Sequence, residues 1–171
     1  VRSFLAIGVL GAVVAPLVAS APAAADPLWE AEVRLGFGVA LGGGQGQMTT
    51  KASPLTIAGV GTIAIQDEPR LAAFGGVILE TVGRTSVGGT FGVRLKPGAG
   101  DLRLAAGATI LAEPYSLYGA MGSIGTCRGL GKAAHLCGDL QLTAYFAGSD
   151  LAPDHTVTQA QLVAGVVFDA L

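Results

Sequence analysis

Between Trp29 and Gly43 the chain reads WEAEVRLGFGVALGG, and every second residue belongs to a different kind of row. Trp29, Ala31, Val33, Leu35, Phe37, Val39 and Leu41 are all apolar. Glu30, Glu32, Arg34, Gly36, Gly38, Ala40 and Gly42 are charged at one end and small at the other. A period of two specifies a β-strand whose faces meet different surroundings. A water-bathed protein would bury the large row and wet the other. A barrel in a membrane would turn the large row to lipid and close the charged row inside.

The same alternation recurs. Strands are predicted at about 29–43, 55–66, 71–83, 87–96, 102–113, 115–125, 139–148 and 157–170, separated by GGQGQMTTKASP at 43–54, DEPR, RTS, PGAGD, Pro114, a cysteine-bounded loop and SDLAPDH. Such punctuation is turn chemistry. No stretch of helical period competes, and the long crossovers that parallel strands need are absent, so the sheet should be antiparallel. Eight short strands with tight turns predict an all-β, eight-stranded antiparallel up-and-down barrel, with a sandwich as the other architecture.

Residues 1–25 are read apart from the fold. Arg2 precedes an apolar run from Phe4 to about Val18, and Ala23 and Ala25 occupy the small positions of a cleavage site. This is the pattern of a secretory signal peptide, leaving 26–171 as the barrel domain. Without Arg2, nine basic side chains face twelve acidic ones, a net charge of −3 with both histidines neutral. No basic run points to nucleic acid. Only 13% of the residues are charged, about half of what soluble domains carry, which is too little to cover a wetted outer face.

Charge also sits on one side of the alternation. Glu30, Glu32, Arg34, Glu80, Arg94, Lys96, Arg103, Glu113, Asp139 and Asp169 recur on the row expected to face inside. Enclosed charges must pair. Glu30, Glu32, Arg34, Arg94, Arg103 and Glu113 are therefore expected to form an interior polar network. Leu35, Phe37, Leu95, Leu104, Leu142 and Phe168 are expected to face lipid. Trp29, Tyr115, Tyr118, Tyr145 and Phe146 are the candidate interfacial anchors. The interior is expected to be packed and polar.

Two cysteines, Cys127 and Cys137, bound CRGLGKAAHLC. In an exported chain they are expected to form a disulfide closing a loop. Two thiols and His135 fall short of a closed zinc set, and no cofactor motif is present. Ser149, Asp150, Asp154 and His155 lie close in sequence and contain the residue types of a hydrolytic site, but a solvated turn has the same composition.

Taken together, the leader, the eight amphipathic strands and a last strand ending in VVFDAL resemble the small eight-stranded outer-membrane β-barrel proteins of Gram-negative bacteria. The resemblance is to that class and covers the chain from about Trp29 onward. It implies outer-membrane localisation, contact with outer-membrane lipid, and handling by the barrel-assembly machinery through the final strand. It further implies a structural or surface-interaction role without catalysis, with longer loops free to meet an external ligand or surface. With both termini in the periplasm, the loops near 44–54, 83–86, 113–116 and 148–156 would be external and the cysteine loop periplasmic. The alternatives are a soluble secreted β-barrel binding an apolar ligand, a narrow pore, and a lipid-modifying outer-membrane enzyme.

Overall fold

The computed structural model describes residues 29–44, 47–65, 68–82, 85–97, 101–130 and 133–169. The leader expected at 1–25 lies outside the described residues. Nine strands follow one another: β1 (Trp29–Gly44), β2 (Gln47–Ala52), β3 (Leu55–Ile65), β4 (Glu68–Thr81), β5 (Ser86–Leu95), β6 (Leu102–Glu113), β7 (Leu117–Gly129), β8 (Ala134–Ala147) and β9 (Thr156–Asp169). All pairings are antiparallel, neighbour to neighbour, and β1 pairs with β9 along fourteen positions. The sheet thus closes into an eight-stranded up-and-down barrel, and β2 is an addition to it.

β2 corrects the expected loop at 44–54. Residues Val39–Gly44 of β1 pair with β2, while Trp29–Gly36 pair with β3. β2 and β3 therefore follow one edge of β1 in succession, interrupted at Ser53-Pro54. The Ser53 N–H still donates to the Gly38 carbonyl at 2.9 Å; proline has no N–H to offer a ladder. Glycine and proline marked a loop in the sequence, but QMTTKA between them contains two β-branched threonines and lies beside a strand long enough to pair with it.

Hydrogen-bond register fixes the barrel's shape. From Arg34, directly paired residues lead one way through Ala58, Ile78, Gly88 and Leu111 to Leu117. The other way, through Gly165 and Cys137, they arrive at Cys127, ten residues further along the same β7. In an eight-stranded tube that stagger tilts the strands by about 40° and leaves an interior that side chains can fill.

The opening alternation resolves with its small, charged row inside. Glu32 is 2% exposed and Arg34 5%, whereas Leu35 is 49% and Phe37 59% exposed. Leu95, Leu142 and Phe168 are likewise exposed on the outer face. Leu104 is half-buried, but it pairs directly with exposed Leu95 and Ile124 and so shares their outward direction.

Three expectations are corrected. Glu113 is exposed and outside the charged network. Gly88 pairs with Leu111 but Val87 pairs with Glu113, so the ladder passes over Ala112. The extra residue reverses the alternation and puts Glu113 on the outward side with exposed Val87. Tyr145, named as an interfacial anchor, points inward at 2% exposure, on the same row as buried Asp139, Gln141 and Thr143. Finally, the interior is not wholly polar. Ala58, Val60, Phe74, Ile78, Leu111, Leu117, Met121 and Tyr145 form an apolar cluster within the tube. Bulky inward groups fit where their cross-strand partners are small: Phe74 lies opposite Gly92, and Leu111 opposite Gly88.

The cysteine loop is also shorter than expected, because β7 and β8 run past the cysteines to Gly129 and Ala134. Cys127 and Cys137 are direct cross-strand partners at disulfide distance, with Cα atoms 4.0 Å apart. This hairpin lies at the end of the barrel that also holds Trp29 and Asp169. The segment 148–155 lies at the opposite end.

Candidate functional site: an enclosed charge network

In the half of the barrel nearer Trp29 and Asp169, β1 brings Glu30, Glu32 and Arg34 inward on alternate positions. Arg94 comes from the end of β5, Arg103 from the start of β6 and Asp139 from early β8. Because β1 and β6 face each other across the tube, these side chains meet over the lumen although up to 105 residues separate them in sequence.

Arg103 is the bridge. Its Nε donates to Asp139 Oδ1 at 2.7 Å, and its Nη2 donates to Glu32 Oε1 at 2.8 Å. Arg34 Nη2 donates to Asp139 Oδ2 at 2.9 Å. Arg94 Nη2 donates to Glu32 Oε2 at 2.7 Å, and its Nη1 donates to Thr62 Oγ1 at 3.2 Å. The Arg94 guanidinium also lies over the Phe74 ring, 5.8 Å from its centroid, so it touches the apolar cluster as well. Nearer the mouth, Glu30 is 3.5 Å from Arg94 Nη1 and pairs with Lys96. Three guanidiniums thus alternate with three carboxylates across the lumen, and Lys96 caps the row where it meets solvent. Charge-assisted bonds of this kind are the stronger class. In a low-dielectric interior, each one also relieves the large cost of burying its partner.

Two glycines make the network possible. A Cβ on Gly125 would lie 1.8 Å from Asp139 Oδ1, and a Cβ on Gly165 would lie 2.8 Å from Glu32 Oε1. Both carboxylates therefore rest on bare backbone of the adjacent strands.

Of the six residues expected in this network, the structure brings together Glu30, Glu32, Arg34, Arg94 and Arg103, and leaves Glu113 outside. It adds Asp139 and Lys96. Both were on the charged row in sequence, but the stagger that brings them to Arg103 and Glu30 has no sequence signal. A second polar group lies toward the other end. There Glu80 accepts from Ser86 Oγ at 3.0 Å and from Gln159 Nε2 at 3.2 Å. Asp169, at the rim, meets His135 Nε2 at 3.0 Å.

Of the residues suggestive of hydrolysis, Asp150 and His155 line one open pocket, while Ser149 turns to Ser116. Ser149 Oγ bonds the backbone N–H and hydroxyl of Ser116, each at 3.1 Å. His155 Nδ1 lies 2.9 Å from the Pro153 carbonyl. Among the described residues, no cluster of three His, Cys, Asp or Glu side chains is placed to hold a metal ion. The carboxylates of the charge network are occupied by guanidiniums, and its chemistry is that of a fixed electrostatic brace. Fold and site together define a closed eight-stranded antiparallel barrel with a filled, charge-braced interior and an apolar exterior. Neither protein-family models nor curated proteins match the chain.

Proposed function

We propose that this protein is an outer-membrane barrel of the Gram-negative type, non-enzymatic, with a structural or surface-interaction role. The single observation that carries the proposal is the inverted distribution of side chains around a closed tube. Phe37, Phe91, Ile124, Leu140, Leu142, Leu162 and Phe168 are exposed on the outside, while Glu32, Arg34, Arg94, Arg103 and Asp139 are enclosed. Soluble monomers rarely expose contiguous apolar areas beyond a few hundred Å²; here exposed apolar groups occur on strands all round the wall.

The height of the band agrees with this reading. On β8 the exposed apolar groups extend from Leu136 to Phe146. At roughly 3.3 Å per residue and a tilt of about 40°, that rises about 25 Å along the barrel axis, near the apolar height of such barrels, about 25 Å. A closed sheet also satisfies the backbone without water. The soluble, ligand-carrying alternative and the pore are both disfavoured by the side chains that cross the lumen around the charge network, where a cavity measures about 20 Å³.

Expression of the full chain, with residues 1–25, in a Gram-negative host, followed by membrane fractionation, tests the proposal. The expected result is recovery with outer membranes, release only by detergent, and heat-modifiable migration on gels. A monodisperse monomer in detergent-free buffer would overturn it.

A further inference from the structure

β2 is paired along one side. It and β3 follow the same edge of β1 in turn, and β4 lies on the far edge of β3, ending at the Leu55–Thr81 pair. Among the described residues, no strand pairs with the far edge of β2. β4 does not continue alongside it. Val82, next after Thr81, has a φ of 64°, a left-handed conformation that takes a β-branched residue out of the strand. All six residues of β2 are exposed.

Register shows which backbone groups this edge offers. The Ser53 N–H donates to the Gly38 carbonyl. The same register runs on through Ala40–Lys51, Gly42–Thr49 and Gly44–Gln47. In an antiparallel ladder, hydrogen-bonded pairs alternate with unbonded ones. Gln47, Thr49 and Lys51 therefore turn their N–H and C=O groups to β1. Met48, Thr50 and Ala52 turn theirs the other way, to the open edge. Such a row is a template for one more strand.

The side chains nearby select the kind of strand. Met48 is 76% exposed and Val82 73%, more than any other large hydrophobic residue described. Both border the open place, Met48 on the row that faces it and Val82 at the end of β4. Met48, Thr50 and Ala52 pair with Gly43, Leu41 and Val39 and so share the outer face. Lys51 lies on the opposite face, exposed and cationic, where a carboxylate across from it is favoured.

We propose that the open edge of β2 is a docking site for an extended segment of another polypeptide, bound by β-strand addition. Backbone bonds to Met48, Thr50 and Ala52 hold the segment. Its apolar residues alternate on the face it shares with Met48, and polar residues, one of them acidic, occupy the face it shares with Lys51. The proposal deepens the surface-interaction role above and rests on that reading only for the side of the membrane on which the edge lies.

The test uses purified, folded protein and a short fluorescent peptide of alternating valine and threonine with one central glutamate. Fluorescence anisotropy should show saturable binding to the parent. Thr50→Pro removes an N–H at the open edge and keeps every bond between β2 and β1, as edge strands allow. It should leave the denaturant midpoint in place and weaken binding roughly tenfold, through the lost bond and the proline ring. A second arm needs no variant and decides alone if Thr50→Pro does not fold. N-methylation of the peptide amides along one edge should abolish binding to the parent, and along the other edge should leave it unchanged. No binding to the parent, equal binding to Thr50→Pro, or equal effects of the two methylation patterns overturns the proposal. Self-association of the parent that Thr50→Pro removes would seat a second copy on the edge and overturn the proposed occupant. These binding arms do not depend on where fractionation places the chain, so failure of the membrane reading leaves them standing.

Discussion

Arg103 shows what a single side chain carries in this barrel. It holds Glu32 and Asp139 at once, and those carboxylates hold Arg94 and Arg34 in turn. Replacing Arg103 by Leu leaves two buried anions short of a partner. The expected loss of stability is about 3–5 kcal/mol, read as a lower denaturant midpoint in detergent. Arg103→Lys should recover only part of it, because one ammonium cannot reproduce the bonds that Arg103 makes to two carboxylates. Gly165→Val should be comparably damaging, since its side chain would occupy the place of the Glu32 carboxylate. Much of this site was legible as a row: alternation alone put Glu32, Arg34, Arg94 and Arg103 on one face. Partnership was not legible, because Asp139 reaches Arg103 only through the stagger of the closed sheet. Glu113 was misplaced for a local reason, a one-residue bulge at Ala112 that leaves no mark in composition.

At the scale of strands, β6 offers a paired test of sidedness. Leu104→Arg should cost about 2–4 kcal/mol if that position lies at mid-bilayer, measured by reversible unfolding in lipid vesicles. Gly107→Val should fail for a different reason, crowding, because a Cβ there would meet the Phe91 carbonyl at 2.2 Å; its loss should persist in detergent, where the penalty for Leu104→Arg shrinks. The β7–β8 hairpin gives another prediction. Cys127 and Cys137 are separated by ten residues, so the chain-entropy account assigns their link about 3 kcal/mol at most. Reduction, or replacement of both by Ser, should lower the denaturant midpoint without opening the barrel. The sequence located this pair but placed it on a loop, because glycine and alanine around it weaken the strand signal. β2 was hidden in the same way, by the glycines before it and the proline after it.

For the molecule as a whole, the number and direction of the barrel strands could be read from period two and turn chemistry. Closure could not: the β1–β9 seam joins the two ends of the folded domain and leaves no local trace. The filled interior leads to a whole-molecule prediction. Planar-bilayer recordings should show no steady conductance, because guanidiniums, carboxylates and the Phe74–Met121 cluster occupy the lumen; stepwise openings of uniform size would contradict it. The wall is also uneven. β1 continues with β2 and β9 beyond the level where β3 and β4 part company, at Leu55 and Thr81. Among the described residues, the tube therefore stands higher at β1 and β2 than at the β3–β4 end. Anything large that settled on this ledge would sit off-axis, so the molecule presents a preferred side that a cylinder of even height would lack.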